Sequence, residues 1–246
     1  MKLSVVMPAH NEEDCLDPTV RNIVRCLESE HIPYEILVVN DHSNDATGKV
    51  LDILRAEYAA VRRMDNPGPA GYGFAVRAGL DNFEGDMAAV VMADGSDRPE
   101  DVVKYYREIE QGYDCAFGSR FMKGSQVHGY PFHKLILNRM ANLFVMILFG
   151  IRYNDITNAF KCYRRSVVDG IRPILSNHFN LTVELPLKAI TRGFSYSVIP
   201  ISWNGREAGV SKLKIKEMGS RYLFIVLYVF LEKMLSRGDY SRRTHS

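Results

Sequence analysis

The chain has 246 residues, of which 46% are hydrophobic and 24% charged, and its formal net charge is +2. That composition is ordinary for a globular protein and leaves room for one large domain with a substantial core, alone or with an appendage. The near-neutral total gives no reason to expect a nucleic-acid partner, but the charge is uneven. Residues 202–246 hold nine lysines and arginines against four acids, so an anionic partner, a phosphate or a membrane surface, is expected at that end. The cysteines at 15, 26, 115 and 162 show no metal-ligand spacing and read as reduced core residues of a cytosolic protein. Met1-Lys2 leads straight into a strand, so no cleaved leader is expected.

In chain order, Leu3–Met7 reads as a buried strand, and Leu16, Val20, Ile23 and Leu27 recur at helical spacing. Ile36–Val39 is a second strand, followed by a polar turn over 40–45 and a helix carrying Val50, Leu51 and Leu54. Ala60–Arg63 is a weak third strand, Gly71–Leu80 a helix, Met87–Met92 the strongest strand, Pro99–Gln111 a helix and Cys115–Gly118 a fifth strand. This repeated βαβ order predicts an α/β fold, a mostly parallel sheet with helices on both faces. Beyond it lie helices over Lys134–Phe149, Leu185–Arg192 and Met218–Leu235 and a strand over Ser195–Ile201, a helical C-terminal extension. The longest apolar run, Tyr222 to Leu231, covers roughly 15 Å as a helix, about half a bilayer core, so no membrane-spanning segment is expected.

The chemistry gathers where strands end. Val90-Val91-Met92-Ala93 stops at Asp94, and Asp97 follows three positions later. A buried strand thus delivers two carboxylates to the rim of the sheet, where α/β folds place their ligands. Two hard oxygen ligands suit Mg²⁺ or Mn²⁺ shared with substrate phosphates; the plainer reading is that Asp97 caps the next helix and Asp94 is a turn residue. The first two strands end similarly, in His10-Asn11-Glu12 and Asn40-Asp41, so the acids converge on one crevice, where cations or hydrogen-bond donors must offset their repulsion. Gly68-Pro69-Ala70-Gly71-Tyr72-Gly73 opens a helix without the spacing of a dinucleotide fingerprint and reads as a helix-packing turn.

Val5–Glu12, Val38–Thr47, Met92–Pro99, Gly118–Phe121, Asp155–Arg165 and Arg206–Lys212 together, in this order, resemble family 2 glycosyltransferases of the GT-A fold, in the branch of dolichyl and polyprenyl-phosphate sugar synthases. The resemblance implies a catalytic domain over 1–212 and an interfacial helix with a basic tail over 213–246. It implies that Pro8, Ala9, Glu12, Asp41 and Ala93 hold the nucleotide and that Asp94 and Asp97 hold the metal and diphosphate. Arg120 and Lys161 would lie near the donor or acceptor phosphates, and Arg206, Ser211 and Lys212 would receive the acceptor phosphate. The implied activity is inverting, metal-dependent transfer of a hexose from GDP- or UDP-hexose to polyprenyl phosphate. It would occur at the cytoplasmic membrane face, with the enzyme bound peripherally and a homo-oligomer left open. A soluble small-molecule or glycan acceptor, or nucleotide-sugar binding without turnover, are the alternatives. Here Ala93-Asp94-Gly95-Ser96-Asp97 stands where the family more often has Asp-x-Asp, and Lys161 stands where arginine is common, which replaces a bidentate fork with a point charge.

Overall fold

A computed structural model of the chain describes residues 1–204 and 215–242. Its main sheet has seven strands in the order β3-β2-β1-β4-β7-β5-β8. They are β1 (Leu3–Ala9), β2 (Tyr34–Asn40), β3 (Val61–Asp65), β4 (Met87–Val90), β5 (Cys115–Ser119), β7 (Lys161–Arg164) and β8 (Tyr196–Pro200). β7 runs antiparallel to both of its neighbours, β4 and β5, and the remaining pairs are parallel. Two three-residue strands, β6 (Gln126–His128) and β9 (Ser202–Asn204), pair separately.

Alternation along the strands creates two cores, because successive side chains point to opposite faces. Leu3, Val5 and Met7 pack with α1 (Leu16–Ser29), α2 (Thr47–Glu57) and α4 (Pro99–Glu110). Val6, Leu37 and Val90 face the other way, toward α3 (Tyr72–Asn82), α6 (Arg165–Gly170), α7 (Leu181–Thr191) and the buried residues of α5 (Phe132–Phe149) and α8 (Ile215–Leu235). α4 opens with Pro99 followed by two acids, which suits the missing donor and positive dipole of a helix start. α5 stops at Gly150, whose φ of 66° is the left-handed cap that glycine adopts most cheaply.

The strong elements fall where periodicity predicts them. β6, β7, β9 and α6 were not expected: β7 reads Lys-Cys-Tyr-Arg, which is not an apolar run, although its first three residues are buried. Cys115 and Cys162 are buried as expected, whereas Cys15 and Cys26 lie half-exposed on the edge of α1. The expectation of no spanning segment also needs correction. α5 has 18 residues with a mean hydropathy of 1.3, enough to cross a membrane by length and composition alone. Lys134, Asn138, Arg139 and Asn142 interrupt its apolar run without outweighing it. Only Asn142, Val145 and Phe149 of α5 are buried.

Candidate active site

The exits of β1, β2 and β4 lie side by side, as β1 pairs with both of the others. The loops leaving β1 and β2 interlock. Asn11 N donates to Ser43 Oγ (3.0 Å), Glu12 N to Thr47 Oγ1 (2.9 Å), and Ala46 N to Glu13 Oε2 (2.7 Å). Between them opens a cleft of about 390 Å³ lined by Asn11, Glu12, Glu13, Asp14, Cys15, Asn44 and Asp45. Of the predicted nucleotide residues, Glu12 lines this cleft; Pro8 and Ala9 close β1 beside Val39 and Asn40.

Asp41 is buried, and its carboxylate accepts Asn66 Nδ2 at 2.7 Å and Gly71 N at 2.8 Å. It therefore ties the exit of β2 to the start of α3. The glycines there serve packing, as predicted: a Cβ on Gly73 would lie 2.4 Å from the carbonyl carbon of Asn177.

At the exit of β4, Ala93 is buried and its carbonyl accepts Thr19 Oγ1 from α1 at 3.3 Å. Asp94 Oδ1 accepts Ser96 N at 3.1 Å, and Asp97 Oδ2 accepts Met92 N at 3.0 Å. Asp97 thus folds back to close its own loop and does not cap α4, whose first turn has no side-chain cap. Burial, with a contribution from the nearby Asp94 charge, pushes the Asp97 carboxyl up to about 7, against the bond from Met92 and the charge of Arg120.

Arg120 follows β5 and forms a fork with buried Asp155, Nε to Oδ2 at 2.8 Å and an Nη to Oδ1 at 2.7 Å. Burial works against its charge, but Asp155 outweighs it and raises the Arg120 pKa. Such a pair is costly to break, about 3–5 kcal/mol when one partner is removed. Lys161 starts β7, fully buried, and its ammonium donates to the carbonyls of Ile156 (3.1 Å), Thr182 (3.2 Å) and Asn158. Burial draws its pKa down to about 7, while Asp155 pulls the other way.

The structure therefore links Asp97 with Asp94 and Arg120, and Arg120 with Lys161 through Asp155. Arg206, Ser211 and Lys212 lie outside the described residues. Sequence reasoning missed Asp155, whose partner is 35 residues away, and Asn66, which bonds Asp41 from the loop after β3. It also missed Asp101, which accepts Ser202 N at 2.8 Å and so anchors the chain that leads to β9.

Among the described residues no group of three or more His, Cys, Asp or Glu converges as a closed metal cage. The donor set nonetheless fits a hard divalent cation. Mg²⁺ and Mn²⁺ are satisfied by one or two carboxylates with water and phosphate oxygens completing the shell. A cation is also what would return the buried Asp97 to its charged form.

Comparisons with known proteins place the chain in a family. In sequence, the chain is 35% identical over 215 residues to a polyprenol monophosphomannose synthase of Mycolicibacterium smegmatis, covering 85% of this chain and 80% of the relative. It is 32% identical over 225 residues to a dolichol-phosphate mannosyltransferase of Pyrococcus furiosus, covering 88% of this chain but only 60% of that protein's length. In structure, it superposes on glucosyl-3-phosphoglycerate synthase of Mycobacterium tuberculosis with a TM-score of 0.65, at 15% identity over 94% of this chain and 80% of that one. A structure of that enzyme with Mn²⁺, uridine diphosphate and phosphoglyceric acid gives 0.66, at 17% identity over 94% of this chain and 78% of that one. At such identities these structures establish the fold alone, which is GT-A. Residues 4–172 match the family described as Glycosyl transferase family 2. With two thirds of its length inside that match and two glycosyltransferases among its relatives, the chain belongs to glycosyl transferase family 2 and is a glycosyltransferase.

Proposed function

We propose that the protein transfers a hexose from a nucleoside-diphosphate sugar to polyprenyl phosphate, with inversion, at the cytoplasmic face of a membrane. One juxtaposition carries the reading: an acidic rim site for a metal diphosphate lies in a molecule whose α5 and α8 expose Phe132, Ile136, Met140, Ile147, Phe224 and Leu231 to solvent. The names of the curated relatives support the lipid acceptor, and the exposed apolar faces of α5 and α8 would give it a place to dock.

The reaction forms a bond between a phosphate oxygen of the acceptor and the anomeric carbon. The bond from that carbon to the diphosphate breaks, and the nucleoside diphosphate leaves with the electron pair. The attacking phosphate is already anionic at neutral pH, so no residue need remove a proton. Pro8, Ala9, Glu12, Asp41 and Ala93 would hold the nucleotide, and Asp94 and Asp97 would hold Mg²⁺ or Mn²⁺ on the diphosphate. When bound, that cation supplies positive charge to the leaving group. Arg206, Ser211 and Lys212 would draw in the acceptor phosphate. Arg120, its fork taken by Asp155, serves the site through its charge, which is felt at Asp97. Lys161 braces the loop before β7 by binding its carbonyls.

Transfer from GDP-mannose or UDP-glucose to polyprenyl phosphate in detergent or liposomes, with Mn²⁺, tests the reading. Asp97→Ala should lower turnover at least about a hundredfold, the scale of losing a preorganised charge stabiliser. Full activity of that variant in excess EDTA would overturn the metal role. Transfer only to soluble acceptors would overturn the lipid.

A further inference from the structure

α5 turns apolar side chains to solvent and an asparagine to the protein. Ile136, Met140, Leu143 and Ile147 are 45–74% exposed, whereas Asn142 is 1% exposed. Both ends of the Asn142 amide are engaged. Its Nδ2 donates to Asn138 O (2.8 Å) and reaches Thr157 Oγ1 (3.3 Å), and its Oδ1 accepts Thr157 N (3.4 Å). Asn138 Nδ2 donates to the same Thr157 hydroxyl at 2.7 Å, and the Arg139 guanidinium donates to Asn154 O at 3.2 Å. One short stretch of α5 therefore grips residues 154–157.

The same segment holds the exit of β5. Asn154 Oδ1 accepts Ser119 Oγ at 2.6 Å, and Asp155 accepts Arg120 through its backbone N (2.9 Å), its Nε (2.8 Å) and an Nη (2.7 Å). Close-packed interiors transmit a displacement rather than absorb it, so a shift of α5 reaches Arg120 through Thr157 and Asp155. Arg120 in turn touches the acidic rim. Its guanidinium lies over the Tyr130 ring at 5.4 Å, Tyr130 packs on Trp203 with centroids 5.2 Å apart, and Trp203 pairs with Asp97 as an antiparallel bridge. Tyr130 stands two residues before α5, so the helix is tied to Arg120 at two places.

What can move α5 is whatever covers its outer face. The helix contains His133, Lys134 and Arg139 and no acid. A cationic helix with an exposed apolar side matches an anionic lipid surface, which answers both features.

We propose that Asn142 and Thr157 are positioning residues: they join α5 to the Asp155–Arg120 fork, so that a lipid surface seating α5 sets Arg120 in its working place and raises turnover. This deepens the polyprenyl-phosphate reading and rests on it.

The test uses the full chain with Mn²⁺, GDP-mannose or UDP-glucose, and a short-chain isoprenyl phosphate that stays dissolved without lipid. Turnover is measured with and without phosphatidylglycerol vesicles, and vesicle binding by sedimentation. Vesicles should raise the parent's turnover. Thr157→Val removes the hydroxyl that both asparagines reach, and the site is only half-buried, so the variant should fold. It should sediment with vesicles and keep its KM for the nucleotide sugar like the parent, yet lose about fivefold in vesicle-stimulated turnover, the scale of one uncharged hydrogen bond. Asn142→Ala should behave in the same way, and Thr157→Ser, which keeps the hydroxyl, should respond like the parent. A merely structural joint would lower turnover by the same factor with and without vesicles, and that result would overturn the proposal. So would a parent indifferent to vesicles, or full stimulation of Thr157→Val. A parent that transfers hexose to neither short nor long isoprenyl phosphates would overturn the polyprenyl-phosphate reading itself, and the role of the joint with it.

Discussion

Glu35 shows how one side chain joins three segments. It is buried at the start of β2 and accepts Ser4 Oγ at 2.5 Å, Glu84 N at 2.5 Å and an Arg62 Nη at 2.6 Å. Burial alone would raise its carboxyl, but the bonds from Ser4, Glu84 and Arg62 outweigh that and hold it below the ordinary value. A carboxylate with a depressed folded pKa stabilises the fold above its unfolded pKa, and the stability is lost as pH falls through the folded value. Glu35→Gln should therefore cost about 1.5–3 kcal/mol near neutral pH. The gap from the parent, measured by urea unfolding, should shrink as the pH drops below about 4.5. At this scale the sequence was most legible where polarity changes abruptly: Asp41, Asp94 and Asp97 stand out because apolar runs end on them. Glu35 sits inside β2, and Asp155 in a segment with no periodicity, so neither is marked until its partner is in place.

Elements were legible in proportion to their apolar content. β4 is a continuous apolar strand, β1 and β2 hold the apolar runs Val5–Met7 and Ile36–Val39, and their helices carry regular stripes. β7 is equally central but has Lys161 and Arg164 at its ends, whose charges are met only after folding, by carbonyls before β7 and of Thr182 in α7 and by those of Tyr113 and Ile109. The start of α3 tests how strictly one element is seated. Gly73→Ala would push a methyl group into the backbone of Asn177 and His178, which cannot move aside like a flexible side chain. Overpacking of this kind costs about 1–3 kcal/mol. Gly48→Ala in α2 is the control, since its methyl would lie 3.6 Å from Arg63, an ordinary contact, and would gain up to about 1 kcal/mol of helix propensity. Thermal unfolding should place the Gly73 variant below the parent and the Gly48 variant at or above it.

The whole molecule has an apolar side. α5 and α8 touch where Phe149 meets Phe230 edge-on, and Lys233 Nζ donates to Phe149 O at 2.9 Å. α8 faces the core with Ile225, Val226 and Val229 and solvent with Leu223, Phe224 and Leu227. The apolar run Tyr222 to Leu231 is thus divided between core and solvent, a division set by how α8 packs against α7 and α5. Binding to anionic liposomes should be detectable by sedimentation at low ionic strength and weaken at high salt, since charge attraction is screened and apolar burial is not. Replacing Leu223 and Phe224 by Asp should reduce it while leaving the thermal midpoint close to the parent's, because both face outward. The reversed direction of β7 has a different consequence, for how such a molecule can diversify. Each parallel strand reaches the rim only with its outgoing loop, and the loops after β1, β2 and β4 hold the residues proposed for nucleotide and metal. β7 reaches the same rim with its incoming segment, as the pairing of Lys161 with Val90 at the end of β4 shows. Residues 150–160 therefore reach that rim from outside the βα units. Change in that segment is free of any βα unit but not of Asp155, whose fork with Arg120 ties it to β5, so it can vary only where that fork is kept.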